Sequence, residues 1–398
     1  MQRTINTLLH LTDFYRHIMT KLTILLSIVG FLAATQAVAL DDQIPPPPNL
    51  AVKSYLLIDF NSQYTIASYK SKARVEPASL TKVMTAYLTF KALKNGHLQA
   101  DQNLPVSTTA WQVEGSKMFI EPNKAVTVDE LLHGLIIQSG NDAAMTLAEG
   151  IASSETIFAD MMNKEAARLG MKDTHYMNAT GLPDPAHYTT AEDLAKLATA
   201  LIRDFPEQYQ RLYSVKEYTY NQITQSNRNK LLWLDPNVDG MKTGHTSTAG
   251  YCLISSAKRG QTRYIAVVLG APSETARATE SQKLLNYAFQ FYDSHLVYKK
   301  GQQVSLLTVW KGADNNLSST VSEDMYVTIP KGSYKNVKAQ VSSTQPLIAP
   351  IKKGQRIGEV KFLLNEKIID TRPIVAANIV PMAGIFGRAW DTIKLMLQ

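Results

Sequence analysis

Strand-like alternation occurs twice in the first 295 residues, at 54–60 with 64–69 and again at 238–243, 250–257 and 263–269, and helical periodicity dominates the stretch between. Strands from both ends must meet across that helical insert, which predicts an α+β domain whose antiparallel sheet packs against a helical cluster. Turn residues Asn61-Ser62-Gln63 and Lys258-Arg259-Gly260-Gln261 separate the strands, and a helix is expected over 274–292. The domain should end near His295. At 398 residues and 45% hydrophobic content the chain has ample material for a core. Its single cysteine, Cys252, makes no intramolecular disulfide, so packing alone must hold the fold.

Beyond this domain, short apolar alternations recur over 301–379 between turn signals at Gly312, Pro330-Lys331-Gly332, Pro346, Pro350 and Lys353-Gly354. Such spacing reads as a small all-β sandwich or barrel, and it carries no catalytic constellation. The last stretch, 381–398, plotted as a helix gathers Met382, Ile385, Phe386, Ala389, Trp390, Ile393, Met396 and Leu397 opposite Arg388, Asp391 and Thr392. Too short and charged to span a bilayer, it suits a membrane interface; the competing reading is a terminal helix docked on its own domain.

The N-terminus reads as a cleaved export signal over 1–39: Lys21, an apolar run at 22–34, then Ala37-Val38-Ala39 ahead of Leu40-Asp41-Asp42. Initiation at Met19 would give a more ordinary signal. An uncleaved anchor is disfavoured because the run is short for a span and a cleavage site follows it. Residues 44–48, with four consecutive prolines, form a stiff extended lead-in. The formal charge of +7 is spread along the chain, without Lys/Arg blocks or a basic helix with interleaved aromatics, so a nucleic-acid partner is unsupported.

Chemistry concentrates in three places. In Glu76-Pro77-Ala78-Ser79-Leu80-Thr81-Lys82-Val83-Met84 a serine opens a helical pattern that ends at Asn95-Gly96, and Lys82 follows it one turn later on the same face. An amine within reach of a hydroxyl at a helix start can serve as its base. Alone the tetrad is weak, since composition predicts roughly one chance match in such a chain. Ser255-Ser256-Ala257-Lys258 is that decoy: in a strand, i and i+3 point to opposite faces. Ser139-Gly140-Asn141 sits between two helical patterns, the first of them following the capping-box signature Thr127-Val128-Asp129-Glu130; Gly140 would accommodate the tight link and Asp142 would cap the next helix. Lys242-Thr243-Gly244-His245 lies in the first late strand, where a glycine lets a ligand lie against the backbone; an edge lysine discouraging aggregation is the bland alternative.

In this order, Ser-x-x-Lys, Ser-x-Asn and Lys-Thr-Gly resemble the signature of penicillin-binding proteins and class A β-lactamases, with Gly140 where an Asp is usual. The chain resembles the low-molecular-mass penicillin-binding proteins that are D-alanyl-D-alanine carboxypeptidases, with further likeness at Asn178-Ala179-Thr180-Gly181-Leu182, 227–233 and 240–246. The resemblance implies a penicillin-binding-protein/β-lactamase-like transpeptidase domain over 40–295, a β-rich domain over 296–380 and an amphipathic membrane-anchor helix over 381–398. It also implies a periplasmic enzyme bound peripherally to the outer face of the bacterial inner membrane, needing no metal or cofactor. Its substrate would be the peptidoglycan stem pentapeptide, with β-lactam antibiotics as covalent inhibitors and cell-wall remodelling as its role.

By the same resemblance, Ser79 is the nucleophile, Lys82 the base and Ser139 a proton relay; Asn141 bonds Lys82 or the substrate. Lys242 and Thr243 attract and hold the terminal carboxylate, Gly244 belongs to the same strand motif, the Ser79 and His245 N–H groups form an oxyanion hole, and Arg228 supports carboxylate recognition. The segment 108–119, with Trp111, Gly115, Ser116 and Met118, matches a loop that the family links to deacylation but is several residues shorter. Acylation is thus implied, and turnover of the acyl-enzyme is left open. A β-lactamase is disfavoured by the lack of a Glu-x-x-Leu-Asn between Ser139 and Lys242 and by the appended domain; a non-catalytic sensor by the intact Ser79, Lys82 and Ser139 set. The absence of His-Glu-x-x-His and Gly-x-Ser-x-Gly disfavours a metallopeptidase and an α/β-hydrolase.

Overall fold

Five strands from the two ends of the first domain do form one sheet. A computed structural model describes residues 44–397, so the export signal expected at 1–39 lies outside the described residues. β1 (Ser54–Asp59) and β2 (Thr65–Tyr69) make a hairpin, while β3 (Val238–Thr246), β4 (Gly250–Arg259) and β5 (Thr262–Ala271) make a meander. The order is β2-β1-β5-β4-β3 with every pairing antiparallel. β5 joins β1, with Leu57 opposite Ala266, and that pairing closes the domain across some two hundred residues of chain.

The insert supplies the helices α1 (Lys82–Lys94), α2 (Asn141–Ala152), α3 (Glu155–Arg168) and α4 (Ala191–Asp204). Ile265, Val267 and Leu269 of β5 share one core with Leu194, Leu197 and Leu201 of α4. Alternation turns Tyr264 to the opposite face, where its ring meets Phe289 of α5 (Glu274–Phe291) with centroids 4.7 Å apart. The sheet is therefore covered on both sides, which explains its nearly continuous burial through β4 and β5.

Two expectations change. Residues 169–190 are irregular rather than helical, held by side chains such as Asn163, which pairs with both backbone groups of Tyr176 at 2.8 Å. A hairpin over 217–226, turning through Asn221 and Gln222 with φ of 47° and 64°, is present where no strand was read.

β6 (Tyr292–Tyr298) follows α5 directly, so the chain enters the C-terminal domain at Tyr292, slightly ahead of His295. There β7 (Gln303–Trp310), β8 (Asn316–Thr320), β9 (Met325–Pro330), β10 (Val337–Ser343), β11 (Leu347–Ile348), β12 (Arg356–Leu364) and β13 (Lys367–Ala376) complete an all-β unit. A sheet ordered β10-β12-β13-β8-β7-β11 and the pair β6-β9 enclose Val309, Val327, Val360, Phe362 and Ile374. Polar contacts tie the unit to the first domain: the Ser62 and Thr328 hydroxyls lie 2.6 Å apart, and Arg372 Nη2 donates to the Ser62 carbonyl at 2.7 Å.

The chain ends in α6 (Ile385–Met396). Asp391, on its polar side, is buried and accepts from the Lys311 N–H at 2.6 Å, while Phe386 on the other side is 92% exposed. No helix among the described residues is long and apolar enough to cross a membrane.

Candidate active site

Ser79 belongs to a 3-10 turn, Ala78–Thr81, that leads straight into α1. Pro77 opens the turn without needing its missing N–H, and Ala78 adopts φ 48°, an uncommon left-handed conformation for a residue with a side chain. The neighbours hold that kink. Gly181 (φ 84°) packs so tightly on the Ala78 carbonyl that a Cβ would overlap it, and a Cβ on Gly244 would stand 3.1 Å from the Pro77 carbonyl and 3.2 Å from the Leu80 nitrogen. Gly244 thus lets the Ser79 turn approach β3, a close contact within the chain itself where the sequence pointed to a ligand.

Lys82, first residue of α1, is almost fully buried, and its Nζ meets three oxygens. Ser79 Oγ is at 3.1 Å, Asn141 Oδ1 at 2.6 Å and the Thr180 carbonyl at 2.6 Å. Burial pushes its pKa down to about 7; the nearby Arg228 charge acts in the same direction and Asp142 opposes it. A neutral amine has two N–H bonds and one lone pair. If the Asn141 and Thr180 oxygens take the two hydrogens, the lone pair faces the Ser79 hydroxyl.

The Ser139 corner departs from expectation in its details. A π-helical turn, Gly134–Gln138, ends in Ser139, and it is Ser139, with φ 66°, that is left-handed. Gly140 has φ −56° and is needed for space: a Cβ there would lie 2.7 Å from Asp142 Oδ1. Asp142 lies inside the first turn of α2 rather than at its cap, and its buried carboxylate gathers the N–H groups of Met118, Phe119 and Ala143 at 2.9–3.1 Å. Asn141 is bound into the same loop, its Nδ2 donating to the Glu114 carbonyl at 2.5 Å and its backbone N–H to Ser116 at 2.6 Å. One amide therefore links Lys82 to the 114–120 loop. The unexpected hairpin braces that loop from outside, through Gln225 to the Lys117 carbonyl at 3.2 Å and Asn221 to Glu121 at 3.0 Å.

Ser139 Oγ is buried and has no hydrogen-bond partner among the described residues. Lys242 and Thr243 are buried on β3 although β3 is the sheet edge, so the edge-lysine alternative fails. Among the described residues Lys242 Nζ has only the Thr243 carbonyl, at 3.0 Å. Burial, then the Lys82, Arg228 and Arg277 charges, hold its pKa well below the ordinary lysine value. Such a cluster of cations gains from an incoming carboxylate. His245 is exposed, its ring 4.0 Å from Tyr251, and Arg228 is also exposed.

Sequence reasoning missed three contributors: the Thr180 carbonyl, the Asp142 clamp and Arg277. The last is a buried guanidinium on α5 that donates to the Arg228 carbonyl at 3.3 Å and to Glu274 at 3.1 Å. Thr180 lay in a stretch already singled out and Asp142 was read only as a helix cap, whereas Arg277 carried no signal.

A half-buried serine 3.1 Å from the amine of a buried lysine, beside a second serine, an amide and a lysine-bearing strand, defines a serine acyl-transferase site of the penicillin-binding type. The chain matches the family model described as D-alanyl-D-alanine carboxypeptidase over residues 41–273, and that of the penicillin-binding protein 5 C-terminal domain over 292–382. It is 39% identical to the D-alanyl-D-alanine carboxypeptidase DacA of Escherichia coli, covering 97% of this chain and 98% of the relative. Penicillin binding protein 5 from Haemophilus influenzae has the same fold with TM-score 0.82 at 39% identity, covering 84% of this chain and 99% of that one. The ampicillin-bound penicillin-binding protein D2 from Listeria monocytogenes aligns with TM-score 0.57 at 28% identity, over 61% of this chain and 99% of its own. The chain belongs to the D-alanyl-D-alanine carboxypeptidase family of serine peptidases.

Proposed function

We propose that Ser79 attacks the carbonyl between the two terminal D-alanines of a peptidoglycan stem pentapeptide. The Oγ–C bond forms, the peptide C–N bond breaks, and D-alanine leaves with the proton that Ser79 gave up. Lys82 takes that proton, and Ser139, whose hydroxyl has no partner among the described residues, passes one to the leaving nitrogen. Asn141 and the Thr180 carbonyl orient the amine. Lys242, Thr243 and Arg228 receive the terminal carboxylate, with Arg277 adding to the field. The Ser79 and His245 N–H groups stabilise the tetrahedral oxyanion, and water hydrolyses the acyl-enzyme. The observation that carries this reading is the 3.1 Å approach of Ser79 Oγ to a buried Lys82 Nζ whose other two contacts are oxygens.

A β-lactam presents the same reactive carbonyl and would acylate Ser79, as the ampicillin-bound relative suggests. We assign the catalytic domain to 40–291, the β-rich domain to 292–380 and the anchor to 381–398. The exposed apolar side of α6 supports peripheral attachment to the outer face of the inner membrane after export. The test incubates the chain with a peptide ending in D-Ala-D-Ala, follows free D-alanine and labels the enzyme with a fluorescent penicillin. Release and labelling should both vanish in Ser79→Ala; retention of either in that variant removes Ser79 as nucleophile.

A further inference from the structure

We propose that the outer face of β7 and β11 is a second lipid-contacting surface, which receives phospholipid acyl chains in the cleft beneath the far end of α6. The inference rests on the reading of α6 as the membrane-facing element. It differs in placing part of the contact on the β-domain itself.

Burial along β7 alternates at its end: Val309 is in the core and Leu307 packs against it, so Leu306, Thr308 and Trp310 point outward. Leu306 is 58% exposed. β11 runs parallel to β7 with Leu347 opposite Val309 and Ile348 opposite Trp310; Leu347 is accordingly buried and Ile348 is 46% exposed on the outer face. The strand pair thus offers Leu306, Trp310 and Ile348 on one side. Hydrogen bonds tie α6 and the residues before it to Lys311, just past β7: the Ala383 N–H donates to the Lys311 carbonyl at 2.8 Å and the Lys311 N–H donates to Asp391 in mid-helix. Farther along, Leu395 overhangs without closing. It forms with Trp310, Pro346, Thr308 and Gln345 an open cleft of about 740 Å³.

An apolar cleft continuous with the exposed side of an amphipathic helix has a natural occupant in the medium that helix would enter. Charge agrees with this. The bordering segments carry Lys311, Lys352, Lys353, Arg388 and Lys394, against Asp314 and the buried Asp391, which suits anionic headgroups. Thr308 and Gln345 line the cleft with polar atoms and limit the depth of insertion to the interfacial zone.

The test uses residues 40–398, which include the compact unit 47–398. Of the four tryptophans, Trp390→Phe leaves Trp310 and two in the catalytic domain, Trp111 and Trp233. Vesicles of phosphatidylcholine with a minority of phosphatidylglycerol carry brominated acyl chains, which quench a tryptophan they touch. We expect quenching that disappears when Trp310→Phe is added. Leu306→Glu with Ile348→Glu should weaken vesicle binding about tenfold while leaving D-alanine release from a soluble peptide unchanged. Vesicle binding without Trp310 quenching overturns the proposal and spares the α6 reading. No vesicle binding by the unmodified chain overturns both. A Trp310 shift that follows protein concentration without lipid makes the face a self-contact and removes lipid as its occupant.

Discussion

The same tetrad occurs twice in this molecule, as Ser79-Leu80-Thr81-Lys82 and as Ser255-Ser256-Ala257-Lys258. In the first, helical backbone brings hydroxyl and amine to 3.1 Å and surrounding packing strips the amine of water. In the second, the extended backbone of β4 splits them: Ser255 is buried and donates to the Ala266 carbonyl at 3.3 Å, while Lys258 is exposed. Spacing is shared, yet only one pair can exchange a proton. What separates them is backbone periodicity together with burial, and burial is what shifts the lysine.

That contrast breaks if the two lysines behave alike. Lys82→Ala should slow acylation by a fluorescent penicillin about 10²- to 10⁴-fold, the usual range for a lost general base, while Lys258→Ala should stay within about twofold; comparable losses would remove burial as the discriminator. Next in size is Gly181→Ala, which drives a methyl group into the Ala78 carbonyl and forces a side chain into φ 84°. A loss of about 3 kcal/mol in denaturant unfolding is expected, with acylation falling as the Ser79 turn shifts. Ser255→Ala sharpens the comparison from the other side: it removes one buried hydrogen bond, costs about 1 kcal/mol and leaves acylation intact.

Much of this was legible from the chain alone because it depends on local periodicity. The strand runs, the Ser79 turn with Lys82 on the same face, and the Thr127–Glu130 capping box, present as read, all follow from residues a few positions apart. The amphipathic split of α6 is of the same kind. Illegible features depend on distant partners. Gly140 was the obvious candidate for a left-handed residue, but packing of Asp142 and Met118 around it placed the left-handed turn at Ser139 instead. Thr180 acts through a backbone carbonyl, to which its side chain gives no clue. Arg277 looks like an ordinary solvated helix residue until the packing of α5 buries it beside the cationic strand.

The proposed acylation requires Lys82 to be neutral enough near pH 7 to accept the proton of Ser79. An amine base works only when deprotonated, so a folded-state pKa of about 7 makes acylation slow in acid and fast above neutrality. Single-turnover acylation by a fluorescent penicillin, measured from about pH 5 to pH 10, should rise through a midpoint near 7 that disappears in Lys82→Ala. A profile that keeps rising to a midpoint near the ordinary lysine value, or one that Lys82→Ala leaves unchanged, would contradict the account.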